Sequence, residues 1–379
     1  MPGPLDGLVV TELAGLGPAP FCGMVLADMG AEVVKVDRIG GQAVPIGSVD
    51  NDVLNRGKRS IAVNLKDPGG IEIVLRTVAR SDALIEGFRP GVAERLGVGP
   101  AECLARNPAL VYGRMTGWGQ TGPMATMAGH DIDYIALSGA LGSIGTADGP
   151  VPPLNLVGDF GGGGMLLALG VLAAVIHARA SEEGQVVDAA MVDGSALLMA
   201  SHHGYLADGW WRAERESNLL DGGAPFYTTY RTADGGHVAV GALEPQFFTA
   251  LLAGLDLEPG EVGPQDHREG WTEMRRIFAG RFAQRSRDEW AAHFEGTDAC
   301  VAPVLSIAEA PQHPHNRRRG TFVEIDGVTQ PRPAPRFSVT PGRVARPPMA
   351  PGTDTDEVAA AAGFNPEQIG KLRESGAIA

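Results

Sequence analysis

Residues 8–38 read LVVTELAGLGPAPFCGMVLADMGAEVVKVDR. Leu8, Val9 and Val10 form a short apolar run, Gly15, Gly17 and Pro18 interrupt it, and residues 24–29 continue at helical spacing. A second run follows at residues 32–37. The order strand, glycine turn, helix, strand is the unit that builds parallel sheet with a right-handed crossover. Working outward, strands are expected at 61–65, 83–85 and 110–112, with helices at 71–79 and around 100–107 between them. About the first 115 residues therefore read as a doubly wound α/β layer.

Beyond it a glycine run opens an apolar helix over 161–180, and a second helical stretch is expected over 188–206. The pattern then changes. Residues 225–231 and 237–241, joined by Asp234-Gly235-Gly236, carry a hairpin signature, and helices are expected at 245–255, 271–283 and 287–294. Proline- and arginine-rich sequence over 311–351 leads to a short helix near 366–375. A chain of 379 residues is long enough for two cores. The expected division is a large doubly wound domain over 1–205, a small α+β domain over 220–312, and a segment, 313–379, returning to the large domain.

The composition, 44% hydrophobic and 20% charged, is that of an ordinary soluble globular protein. A net charge of −14 argues against a nucleic-acid surface, which needs a basic face to displace counterions. Cys22, Cys103 and Cys300 are widely spaced and form neither a disulfide framework nor a zinc motif, in keeping with a reducing cytoplasm. No secretory pattern opens the sequence, and Ser375-Gly376-Ala377-Ile378-Ala379 is not a peroxisomal address of the S-K-L type. The apolar stretch 165–176 is shorter than the roughly 20 residues a membrane span requires, so a buried helix and no membrane are expected.

Three places can carry chemistry. In Gly129-His130-Asp131, a histidine at a loop-to-helix junction beside carboxylates can exchange a proton near neutral pH; the plainer reading is a helix cap. In Asn155-Leu156-Val157-Gly158-Asp159-Phe160, Asp159 precedes Gly161 to Gly164. It reads either as a cap or as an acid beside amides that can hold an oxygen on which negative charge develops. Glu244 follows a strand and reads as a solvated carboxylate or a member of a site. Arg38, Lys66 and Arg89 fall at strand carboxyl ends, where open α/β sheets bind ligands, and suit a phosphate-bearing one. For Arg56, Lys58 and Arg59, surface charge and ligand contact are equally open. No phosphate-loop or dinucleotide motif is present, and His313-Pro314-His315 lacks partners at ligand spacing, so no metal is expected.

These residues resemble the CoA-transferase family III enzymes and, among them, the α-methylacyl-CoA racemases. The resemblance runs over most of the chain. It is carried by Glu12-Leu13-Ala14-Gly15, Val36-Asp37-Arg38, Asn64-Leu65-Lys66, the segment 89–97, Gly129-His130-Asp131, Val157-Gly158-Asp159-Phe160, the segment 188–194, and Ala242-Leu243-Glu244-Pro245-Gln246-Phe247. It implies a two-domain α/β fold in an interlocked homodimer, and an acyl-CoA substrate needing no further cofactor. His130, backed by Glu244 from the other subunit, and Asp159 would flank the substrate's Cα, with Asp131 orienting its neighbours. Two acid–base groups in opposite protonation states are what racemisation through an enolate requires. Amides near Asp159 and the glycine run are expected to hold the enolate oxygen. The CoA moiety would lie near Arg38, Val63, Asn64, Leu65, Lys66, Gly87, Arg89, Arg95, Gly129 and Tyr134. Two other readings stay open: a CoA-transferase with Asp159 as nucleophile, and a non-catalytic acyl-CoA binder.

Overall fold

The computed structural model describes residues 2–41 and 47–379. Strand β1, Val9–Leu13, is buried along nearly its whole length because helices cover both faces of its sheet. Helix α1, Pro18–Asp28, starts on Pro18, whose missing N–H would have no partner in a first turn anyway. It returns the chain to β2, Glu32–Arg38, parallel to β1 with Val10 opposite Val33. Strand β3, Arg59–Val63, joins β2 and leads to α2, Pro68–Val78, capped by the Asp67 carboxylate on the Gly69 N–H. Strand β4, Ala83–Glu86, then pairs on the other side of β1. Helices α3, Val92–Arg95, and α4, Pro100–Arg106, precede β5, Val111–Thr116. The strand order is β3-β2-β1-β4-β5 followed by β6, Gln185–Ala190, all parallel. The winding reverses between β1 and β4, which opens a crevice at their carboxyl ends.

Strand β6 corrects the sequence reading, which ran a helix over 188–206. As an edge strand covered on one side only, it has little of the buried apolar run that marks β1 or β5. Helix α5, Asp131–Leu137, lies between β5 and β6 in the chain, and helix α7, Met191–Leu198, follows β6. Between them runs α6, Leu156–Ser181, a continuous helix of 26 residues. By length and composition it would cross a bilayer, which the stretch 165–176 alone would not. Leu167, Ala168, Val171, Ala174 and Val175 are nevertheless buried in the core with residues of α1, β5 and β6, as in a central helix of a globular layer.

The glycine run is also explained by packing. Residues Leu156–Met165 wind with the wide turns of a π-helix, a geometry that recurs at functional sites. A Cβ on Gly162 would sit 2.6 Å from the Ser195 backbone nitrogen in α7, and one on Gly164 2.7 Å from the Pro18 carbonyl oxygen in α1. Any side chain there would push apart the two helices that flank α6.

Arg56 and Lys58 are neither surface charges nor ligand contacts: each is only 2% exposed. Arg56 pairs with Asp28 and donates to Gln330 Oε1 and the Pro331 carbonyl, both at 2.8 Å. Lys58 pairs with Glu12 at 2.7 Å and donates to the Pro20 carbonyl of α1 and to Asn55 Oδ1. Arg59 is bridged to Glu32 and Glu357. The carboxyl-terminal segment packs on the same layer, where Val358, Phe364, Ile369 and Ile378 share a core with Ile61, Val63 and Ile73.

The chain divides into two compact units, residues 1–138, 154–198 and 318–379 in one and 139–153 and 199–317 in the other. Segment 139–153, which the sequence reading left in the first domain, joins the second because Arg215 holds the Gly142 and Thr146 carbonyls and Glu216 accepts from the Ala147 N–H. That unit has an antiparallel sheet of Tyr227–Arg231, His237–Gly241 and Val301–Pro303. Its core is aromatic, with Tyr230 stacked on Phe282 and Phe226 edge-on to Phe248 and Trp271.

Leaving one member of the Lys58–Glu12 pair buried alone should cost about 3–5 kcal/mol. Lys58→Met is expected to lose that much in urea unfolding, and adding Glu12→Leu to recover most of it. Equal stability of the single and double variants would contradict the pairing.

Candidate active site

At the carboxyl ends of β1, β4 and β5 lies a cleft of about 380 Å³. Its walls are the loops leaving those strands, with Gly17 after β1, Gly87 to Pro90 after β4 and Gly117-Trp118 after β5, closed by the start of α5 and by Asp159 from α6. Of the residues singled out from sequence, Gly87, Arg89, Gly129, His130, Tyr134 and Asp159 all line it.

His130 is exposed and stands at the N-cap of α5, where its N–H donates to Asp133 Oδ2 at 2.9 Å. The loop bearing it is held by Tyr134, whose ring packs edge-on to Trp118 at 4.7 Å and fills the space over Gly129, where a Cβ would come within 2.7 Å of the ring. Asp131 turns inward and is 7% exposed. Its Oδ1 accepts the Asp159 N–H at 2.6 Å, so α5 and α6 are joined directly beneath the cleft.

The Asp159 carboxylate accepts from Asn155 Nδ2 at 3.0 Å. Burial pushes its carboxyl above the ordinary aspartate value; the Asn155 hydrogen bond opposes this, the Asp131 charge adds to it and His130 opposes it weakly. Gly17, with φ of +63°, passes close by, and a Cβ there would lie 3.1 Å from Asp159 Oδ2. A glycine satisfies both the left-handed backbone and the contact.

The Asp159 N–H is taken by Asp131, and Gly162, Gly163 and Gly164 are buried against α1 and α7, so these four residues do not offer amides to a thioester oxygen. Two polar atoms in this region are buried without a hydrogen-bond partner among the described residues, Trp118 Nε1 and Asp131 Oδ2.

The remaining candidates extend along the same sheet edge. Arg38 ends β2 and is exposed; Val63 ends β3 as its register partner. Val63 is buried and Leu65 packs on the core, while Lys66 is exposed and its N–H donates to Asn64 Oδ1. Arg95 is exposed at the end of α3. Glu244 lies in the second unit, exposed at the N-cap of the helix Pro245–Gly254. Gly17 and Trp118 also line the cleft, although neither has a site role in the sequence reading; Trp118 lies in the glycine- and proline-bracketed segment 117–123 that leads to His130, and Gly17 between Gly15 and Pro18. Among the described residues no three His, Cys, Asp or Glu side chains converge as metal ligands would.

The chain resembles two curated relatives along nearly its whole length. It is 49% identical over 373 residues to the alpha-methylacyl-CoA racemase of Mus musculus, covering 97% of this chain and 96% of that one. It is 46% identical over 372 residues to the alpha-methylacyl-CoA racemase of Homo sapiens, with the same coverage. Among solved structures, a CAIB/BAIF family protein from Brucella suis superposes with a TM-score of 0.82 at 26% identity, covering 96% of this chain and all of that one. The model of CoA-transferase family III matches residues 5–356. The doubly wound sheet, the cleft at its carboxyl edge and this match lead to one assignment: the chain belongs to CoA-transferase family III.

Proposed function

We propose that this protein interconverts the (2R) and (2S) forms of 2-methylacyl-CoA thioesters, with His130 and Asp159 exchanging the α-proton. The observation that carries the reading is the pairing of these two groups on one cleft, one an imidazole and the other a carboxyl whose proton is held more tightly than usual by burial. The full-length likeness to racemases supports it.

In one direction neutral His130 removes the α-proton and the Asp159 carboxyl delivers its own to the opposite face of the enolate; the other enantiomer reverses both roles. The thioester makes the α-proton acidic enough for this pair, and the only cofactor moiety is the CoA that the substrate carries. Its phosphates lie along Arg38, Lys66, Arg89 and Arg95, a local basic edge on an acidic protein. Glu244 backs His130 from a second subunit. Exposed apolar side chains support a homodimer: Leu169, Ile176 and Leu197 are each more than 60% exposed on α6 and α7.

The transferase reading, with Asp159 as nucleophile, is the weaker one, because the relatives 49% and 46% identical over nearly the full chain are both racemases.

Incubating the protein with (2R)-2-methylacyl-CoA in deuterium oxide, without an acceptor acid, is expected to deuterate Cα and scramble its configuration. Transfer of CoA to an added carboxylic acid without such exchange would establish the transferase instead. His130→Ala is expected to slow exchange by at least about a hundredfold, the usual contribution of a positioned acid or base; exchange at the wild-type rate would remove His130 from the mechanism.

The pH profile offers a second check. Where Asp159 acts as the acid, the rate should fall as pH rises through its raised pKa; where it acts as the base, the rate should fall as pH drops through the same value. Because the Asp131 charge raises that pKa, Asp131→Asn should move both limbs to lower pH. Limbs that stay in place would refute the coupling.

A further inference from the structure

Between β4 and α4 the chain runs from Gly87 to Gly99 through the short helix α3, and its first part, Gly87 to Pro90, is one wall of the cleft. Arg89 and Arg95 belong to this loop. Both lie outside the cores, and the loop includes two glycines, Gly87 and Gly91, the second in the left-handed region at φ +81°. Phe88 and Leu96 pack against the core of the layer, and the rest of the loop is held by polar contacts.

Glu86 closes β4 and is completely buried. Its Oε2 accepts the Phe88 N–H at 2.5 Å, folding the chain back as it leaves the strand, and its Oε1 accepts from Arg114 Nε at 3.1 Å. Arg114 stands opposite Glu86 in the β4–β5 register and is itself 8% exposed. The far side of the same guanidinium reaches Glu94 in α3, with Nη1 to Oε1 at 2.8 Å and Nη2 to Oε2 at 3.4 Å. One planar cation thus grips the loop at both ends, and Glu94 is the residue before Arg95. Arginine suits this because its donors are spread in a fixed fork.

A pair serving only to join β4 to β5 would need neither the Phe88 amide nor Glu94. The arrangement also has a cost, since burial pushes the Glu86 carboxyl up to about 7 against the pull of the Phe88 amide and Arg114. Neither Glu86 nor Arg114 lines the cleft, so neither reaches the reacting carbon.

We propose that Glu86, Arg114 and Glu94 form a clamp that positions the 87–95 loop for the CoA portion of the substrate, so that these three residues set affinity for CoA while leaving the proton transfer to His130 and Asp159. This rests on the proposed function for the identity of the ligand. As positioning residues they act through Arg89 and Arg95.

The test uses the full-length protein and two variants, Glu86→Gln and Glu94→Gln, the second partly exposed and so tolerant of the change. Calorimetric titration with CoA itself is expected to show a Kd roughly tenfold weaker in each, the scale of a hydrogen bond to a charged group. The double variant should be little worse than either single one, since both act through Arg114. With 2-methylacyl-CoA, KM should rise similarly while kcat stays within about twofold. Unchanged CoA affinity in Glu94→Gln, or a fall in kcat with KM unchanged, would overturn the clamp, as would a wild-type protein that binds no CoA. If the wild type binds CoA but exchanges no α-proton, the racemase reading fails by itself. The CoA titrations then still decide the clamp: weaker binding in the variants upholds it and equal binding ends it.

Discussion

The close contact of α6 with its neighbours is the constraint on which the site depends. Gly162 lets the backbone of α6 press on α7, and Gly164 lets it press on Pro18 and Phe21 of α1. The wide turns of residues 156–165 then bring Asp159 to the carboxyl edge of the sheet, beside the loops that leave β1, β4 and β5. A helix made of larger residues would stand farther off and carry the carboxyl away from His130. Protein interiors have little slack to absorb such a shift.

The acid is tuned by the same packing. Asp159 is half buried because α1 and α5 close around it, and the hydrogen bond from its N–H to Asp131 places a second carboxylate nearby. Desolvation and like charge both favour the protonated form. No single residue sets this property; it arises where three helices converge.

Basic residues on this acidic chain have two distinct fates. Arg56, Lys58 and Arg114 are buried in ion pairs that fasten loops to the sheet: Lys58 holds the first turn of α1 through the Pro20 carbonyl, and Arg114 holds the loop after β4. Arg38, Lys66, Arg89 and Arg95 remain exposed along the carboxyl edge. Both groups lie close to strand ends in sequence. The difference is whether a carboxylate from another element, such as Asp28, Glu12 or Glu86, waits inside the layer to receive the charge.

Much was legible in the order of residues. The apolar runs of β1 and β2 with Gly15, Gly17 and Pro18 between them announced a parallel, doubly wound sheet, because hydrophobic periodicity and turn chemistry are local properties. The motifs around His130 and Asp159 named both groups that line the cleft. Tertiary structure decided what depends on contacts distant in sequence. Strand β6 could not be seen because an edge strand lacks a continuous apolar run, and its strand character comes from pairing with β5 across some 70 residues. The glycines after Asp159 looked like amides aimed at a ligand until α1 and α7 were found against them. The burial of Arg56 and Lys58 likewise follows from partners that sequence does not place beside them. Local patterns determined the elements and the reactive side chains, while desolvation and close packing, which exist only in the assembled layer, decided which charges are buried and which carboxyl holds its proton more tightly than usual.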